Sequence, residues 1–365
     1  MRLVSIDMLK PDMKIARAVY NQGALILPAG RSDVARYISN LRNMGIEYVY
    51  VEDNKSEGIE IPDAIAEKTR TRCKQILQNT IEQFSLSDKL ETKALEDCVT
   101  SVISEILSTP DIQVSLSDIA STDEYTYTHS VSTMVYALMI ARKLNYSEPK
   151  LGVLGMGTLL HDIGKMLIDR EVMFKEGALT QKEYDYVKMH SLYGYQTLRR
   201  IASLPEQVRL IAYMHHERID GSGYPQGLSG DELNEMIRIV SIADVYDALT
   251  TDRCYRKKWP ANKAMDFLVE RSGKEFDPVL VGVFTQQLAV YPNGSLVRLS
   301  NQYMGIVSRQ NRSMPLRPFV RVIQDAKGND IVPYEIDLMK ELSVTITESE
   351  LEINRNKPAI SPDEL

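Results

Sequence analysis

The sequence predicts a multidomain chain: an all-α helical bundle over residues 111–289, flanked by a small α+β N-terminal module and a β-rich C-terminal extension. Three observations predict it. Apolar residues recur at helical spacing through the middle of the chain, whereas both ends carry short alternating apolar and polar runs broken by turn residues. All five histidines, His129, His161, His190, His215 and His216, fall inside the helical segment. A chain of 365 residues, 44% hydrophobic and 25% charged, is long enough for two or three domains.

Residues 1–60 form the first module, where VYNQGALILPAG carries a strand pair across Asn21 to Gly23 and GIEYVYVED alternates apolar and polar residues. Residues 61–110 read as a helical connector. Ile65, Ile76, Leu77, Ile81, Leu95, Val99, Val102 and Ile106 give its two helices an apolar face, with a break near SLSD. Within residues 111–289 the periodicity predicts helices over 123–143, 148–163, 180–201, 205–216, 232–251, 260–271 and 277–289. Residues 290–365 revert to strands in GSLVRLS, GIVSRQN, PFVRVIQDAKGND and SVTITE, then end in a polar tail with Pro358 and Pro362.

A net charge of −7 and a pI near 5.5 argue against a nucleic-acid polymer or an anionic membrane as partner, and an anionic substrate would need local cations. MRLVSIDMLK lacks the apolar core of a secretory signal, and LGVLGMGTLL at 151–160 is too short to span a bilayer. The chain therefore reads as cytoplasmic, without membrane insertion. Cys73, Cys98 and Cys254 are odd in number, far apart and without CxxC spacing, which argues against a disulfide framework and against a thiolate metal site.

Helical phase brings chemistry inward. Val208, Ile211 and Ala212 set an apolar face that His215 continues at i+7; Leu154 and Gly157 lead in the same way to His161, with Asp162 beside it. Ile237 and Val240 set a face that reaches Asp244. A buried unpaired carboxylate costs several kcal/mol, so such acids are paired or coordinate a metal. Nitrogen and oxygen donors without thiolate suit a hydrolytic centre of two or more octahedral ions, iron and manganese foremost, better than a single tetrahedral zinc. Lys165 projects toward the same cavity from a continuing turn. DGSGYPQG is by composition a turn-rich loop, and Arg253 and Arg256 share a face beyond Asp247.

HDIGK at 161–165 resembles the signature of the HD phosphohydrolase superfamily, and HHERIDGSGYPQGL at 215–228 resembles the longer signature of its HD-GYP subgroup. HDIGK, an isolated histidine, HHE, DGSGYP and DVYDALTTDR follow in the order of that subgroup. The resemblance implies a helical bundle around a bi- or trinuclear metal site. Its ligands would be His129, His161, Asp162, His190, His215, His216 and Asp244, with Asp162 bridging two ions. Trinuclear members carry a glutamate one turn before the first histidine. Here position 125 is a tyrosine, and Glu124 is rotated by about 100° from the face of His129. Two divalent ions are expected, a third being disfavoured by Tyr125.

The resemblance also implies hydrolysis of cyclic di-GMP to linear pGpG, in some members on to GMP, which lowers a bacterial second messenger. It assigns catalytic roles to Lys165 and Asp162. Gly223 would give backbone access at the lip of the site, and Tyr224 and Pro225 would shape the nucleotide pocket. Asp247, Arg253 and Arg256 resemble substrate contacts, since a guanidinium grips phosphate and reads the guanine edge. Cys254 stands where the family often has proline. Two alternatives stay open: a catalytically weak cyclic-dinucleotide receptor acting through its flanks, and a phosphodiesterase for mixed cyclic GMP-AMP. The flanking modules are the expected places for homodimer or signalling-partner contacts.

Overall fold

A computed structural model of the chain describes residues 1–21, 24–46, 48–87, 90–108, 125–175, 177–251, 258–311 and 313–349. They gather into two compact units. One comprises Met1–Pro62, Trp259–Asn262 and the chain from Leu288; the other comprises Asp63–Lys258 and Lys263–Gln287.

The first unit contains β1 (Arg2–Ser5), β2 (Lys14–Ile15), β3 (Val19–Asn21), β4 (Ala24–Leu27), α1 (Ile38–Asn43) and β5 (Tyr48–Glu52). From the other end of the chain come β6 (Leu296–Leu299), β7 (Met304–Arg309), β8 (Phe319–Gln324), β9 (Asp330–Asp337) and β10 (Ile346–Ser349). β3 and β4 pair as the sequence predicts. β5 lies between β1 and β2 in an antiparallel sheet, its alternate Val49 and Val51 fully buried. The C-terminal strands form a five-stranded antiparallel sheet in the order β10-β6-β7-β8-β9. Read along the sequence, the two flanks are separate modules; in space they share one core, where Ile59 packs with Ile306 and Ile323. Arg321 strengthens the join by donating to the carbonyls of Lys55 and Glu57 at 3.3 and 2.6 Å.

The second unit begins with the connector helices α2 (Glu67–Ser87) and α3 (Thr92–Ser108). Cys73 of α2 and Cys98 of α3 are joined as a disulfide, with their Cα atoms 5.6 Å apart. This corrects the expectation drawn from cysteine count and spacing. Two antiparallel helices bring together residues 25 apart in sequence, which no local motif records.

The bundle follows as α4 (Tyr125–Lys143), α5 (Glu148–Leu159), α6 (Arg170–Met173), α7 (Gln181–Arg199), α8 (Glu206–Met214), α9 (Glu235–Thr250), α10 (Ala261–Glu270) and α11 (Pro278–Thr285). Apart from the single-turn α6, these fall in the segments read from periodicity. Local chemistry sets their starts. Thr180 and Glu183 form a reciprocal capping box at α7, the Asn234 side chain accepts from Met236 N at α9, and Asp277 caps α11 ahead of Pro278.

α4 is buried on all sides from Thr128 to Ala141, which makes it the central helix. It packs against α2, α3, α5, α9 and α11. Tyr136, Tyr246 and Phe284 meet edge to face with ring centroids 5.1 to 5.6 Å apart, locking α4, α9 and α11 together. Among the described residues no helix is long and apolar enough to cross a membrane.

Candidate metal centre

One departure from the sequence reading shapes the site. α5 ends at Leu159, so His161 and Asp162 lie just past it and Lys165 stands in a 3-10 helix, Ile163–Leu167. His215 and His216 likewise follow α8, whereas His129 comes from α4, His190 from α7, and Asp244 and Asp247 from α9. Three of the imidazoles are turned by a backbone carbonyl three or four residues earlier in the chain. His161 Nδ1 donates to Thr158 O at 2.6 Å, and His215 Nδ1 to the carbonyls of Ala212 and Ile211 at 3.1 and 3.2 Å. His190 Nδ1 donates to Val187 O at 2.7 Å.

With the proton held on Nδ1, the Nε2 lone pairs face one another. His190 Nε2 lies 3.3 Å from His215 Nε2 and 3.2 Å from His216 Nε2. His190 and His215 both donate through Nδ1, so their two Nε2 lone pairs repel at 3.3 Å unless a cation sits between them. Asp162 divides its oxygens: Oδ2 is 3.4 Å from His161 Nε2 and 3.6 Å from His129 Nε2, while Oδ1 is 3.5 Å from His190 Nε2 and 3.7 Å from His215 Nε2. Asp244 Oδ1 lies 3.0 Å from His129 Nε2, and its Oδ2 lies 3.6 Å from His216 Nδ1. His161 Nε2 and Asp162 Oδ1 are buried without a hydrogen-bond partner among the described residues.

The donors form two groups able to hold metal, Asp162 with His190, His215 and His216, and His129 with His161 and Asp244. In each group the candidate ligand atoms lie within 4.8 Å of one another. Protonation suits the task, because metal ligands must be neutral imidazole or ionised carboxylate. Burial pushes His161, His215 and His216 below the usual histidine range, and His190 down to about 4. Burial opposes charge on Asp162 and Asp244, but the surrounding imidazoles, and for Asp162 also Lys165, hold both carboxyls well below their ordinary range. His129 differs: burial works against its charge, but hydrogen bonds to Asp244 and Asp247 raise it to about 9.

Asp247, read from resemblance as a substrate contact, is 3% exposed and accepts from His129 Nδ1 at 2.7 Å. That bond turns His129 Nε2 toward Asp244 and fixes the ring as the carbonyls fix the others. Asp247→Asn is expected to lower metal affinity about 10- to 100-fold with the fold intact. Metal titration of the metal-free protein checks this, and unchanged affinity would contradict it. Lys165 Nζ donates to Asp162 Oδ2 at 2.5 Å, so its ammonium is inside the cluster.

The glycine-rich loop closes over His216. A side chain at Gly223 would meet Glu217 Cα at 2.4 Å and Arg218 N and His216 O at 2.5 Å, so only glycine allows this close backbone approach. Tyr224 stacks on the His216 ring, with centroids 4.7 Å apart, and Pro225 follows through a cis bond. Glu217, to which the sequence reading gave no role, is 1% exposed and anchors the loop by accepting from Gln226 N at 2.7 Å and Leu228 N at 3.1 Å. Its place directly after two inward-facing histidines was the available signal. Arg253 and Arg256 lie outside the described residues, as does the Tyr125 side chain.

Five imidazoles and two carboxylates fixed by separate helices define a histidine–aspartate metal-site domain of the all-α class. Residues 114–280 match the family model described as HD domain. Residues 296–356 match a KOW domain associated with the HD domain. A cyclic di-GMP phosphodiesterase of Pseudomonas aeruginosa is 33% identical over 266 residues, covering 73% of this chain and 64% of the relative. The cyclic di-GMP phosphodiesterase response regulator RpfG of Xanthomonas campestris is 36% identical over 214 residues, 57% of this chain and 56% of its own. The 3'3'-cGAMP-specific phosphodiesterase 3 of Vibrio cholerae is 36% identical over 169 residues, 46% of this chain and 36% of its own. The chain thus spans less than two thirds of the length of each of these relatives. Among solved structures, an HDG"Y"P protein from Bdellovibrio bacteriovorus aligns with a TM-score of 0.47 at 19% identity, over 77% of this chain and 97% of that one. The family match and the relatives bear out the resemblance read from the motifs.

Proposed function

We propose that the chain is a metal-dependent phosphodiesterase that opens cyclic di-GMP to linear pGpG, with two divalent ions, iron or manganese, as cofactors. The observation that carries this reading is Asp162, whose two oxygens face two separate sets of inward-turned imidazoles. Bound there, divalent ions would neutralise phosphate oxygens and lower the pKa of water. The rest falls to the protein. His129, His161 and Asp244 would hold one ion and His190, His215 and His216 the other, with Asp162 shared between them. The Lys165 ammonium, 2.5 Å from Asp162 Oδ2, would stabilise charge or donate a proton at the departing 3′-oxygen. The His216–Tyr224 stack would form an apolar lip that excludes water beside the phosphate.

The domain division 1–60, 61–110, 111–289 and 290–365 belongs to the same proposal, with 111–289 as the catalytic part acting in the cytoplasm and the flanks as sites for homodimer or signalling contacts. The test is incubation of iron- or manganese-loaded protein with cyclic di-GMP, followed by separation of nucleotides. Linear pGpG, with or without GMP, is the expected product; intact substrate would reject the activity. The Vibrio cholerae relative, as similar in identity as the Xanthomonas one, favours running the mixed cyclic GMP-AMP ring alongside. Arg253→Ala is expected to raise KM about tenfold with metal content unchanged, because a guanidinium meets substrate rather than metal. Metal loss in that variant would contradict the division of roles.

A further inference from the structure

A cyclic dinucleotide carries two phosphodiesters, and the imidazole cluster accounts for only one. The two groups of ligand atoms, each within 4.8 Å, would take up the phosphate that is cleaved, and the second anionic phosphate of the ring calls for a cation of its own. Lys165, paired with Asp162, is assigned to the phosphate that is cleaved. Lys188 of α7, two residues before His190, is placed differently. Its Nζ sits 4.5 Å from the centroid of the Tyr184 ring and 5.5 Å from that of Tyr224, the ring stacked on His216. The ammonium is therefore tied through one aromatic ring to the edge of the metal centre. Its carboxylate partner is Asp185 at 3.2 Å, with side-chain exposures of 31% and 56%. An exposed pair of that kind is weak and is readily exchanged for a phosphate. The two rings hold the cation by cation–π attraction and set its position before a ligand arrives.

We propose that Lys188, seated against Tyr184 and Tyr224 at the lip of the metal centre, binds the phosphate of the cyclic dinucleotide that is not being cleaved. This rests on the phosphodiesterase reading above. Lys188 has no contact with the reacting phosphate in this assignment, so its charge affects substrate affinity and leaves metal loading alone. Phosphate is the ligand chemistry that fits, because a carbonyl or hydroxyl would not compensate a partly desolvated ammonium as fully.

The test compares wild type with Lys188→Ala and Lys188→Arg, each loaded with manganese. It measures metal per chain, KM and kcat with cyclic di-GMP, and equilibrium binding of a phosphorothioate analogue of cyclic di-GMP by calorimetry. Lys188→Ala is expected to raise KM and weaken analogue binding about tenfold, with metal content as in wild type, and Lys188→Arg to recover most of the loss. KM and binding within about twofold of wild type in Lys188→Ala, or a fall in kcat at constant KM, would overturn the inference and leave the phosphodiesterase reading standing. A wild-type protein that neither binds the analogue nor cleaves cyclic di-GMP would overturn both.

Discussion

Asp162→Ala is expected to abolish phosphodiester hydrolysis, by at least about a thousandfold, and to strip metal from the protein. The reason is positional. Asp162 turns one oxygen toward His129 and His161 and the other toward His190 and His215, and it lies 3% exposed with the Lys165 ammonium beside it. Without it His190 and His215 would present lone pairs to one another 3.3 Å apart with one carboxylate fewer to draw in a cation. Lys165 would lose its partner as well. His161→Ala should follow the same pattern, because its Nε2 points into the cluster with no hydrogen bond to replace. Elemental analysis of the purified variants, read beside product formation, checks both. Full metal content in Asp162→Ala would show that the carboxylate does not bridge.

Gly164→Ala is expected to be the most damaging small substitution in the chain. A Cβ built at Gly164 lies 1.9 Å from His190 O and 2.5 Å from Gly194 N, both backbone atoms of α7. Backbone cannot step aside as a flexible side chain can, so the 3-10 helix after the HD pair and α7 must separate. A loss of about 3 kcal/mol, or about 10 °C in Tm, follows for a domain of this size. The separation would also pull His190 away from Asp162, so metal affinity should fall together with stability. Thermal unfolding of wild type and variant in chelator isolates the packing term. A Tm within about 2 °C of wild type would contradict the close-approach account.

Much of this was legible because helical phase is a local property. The apolar stripe on α8 predicts that His215 faces inward, and the stripe on α9 does the same for Asp244; both are buried. His161 is buried for a different reason from the one its spacing suggests. α5 has already ended at Leu159, and a bond to Thr158 O, rather than helical phase, turns the ring inward. Asp247 was assigned by resemblance to the substrate, and the geometry gives it to His129 Nδ1, because only the packing of α9 on α4 reveals which carboxylate meets which ring.

What stayed hidden depends on pairings distant in sequence. The Cys73–Cys98 bond needs α2 and α3 folded back on each other, and the shared core of Ile59, Ile306 and Ile323 joins residues from opposite ends of the chain. No window along the sequence contains either. Lys188 was invisible for a related reason: a lysine four residues after a tyrosine on a helix is an ordinary surface pattern until the loop carrying Tyr224 closes beside it.

Two ions held by imidazoles on either side of Asp162 are the core of the proposed cyclic-dinucleotide phosphodiesterase activity. Its most direct test is an anaerobic titration of metal-free protein with manganese or ferrous iron, following bound metal and pGpG formation together. Tight binding that saturates at two ions per chain is expected, with cyclic di-GMP cleavage appearing as the second site fills. Saturation at two ions with cyclic di-GMP left intact, or cleavage that persists in the metal-free protein, would contradict it.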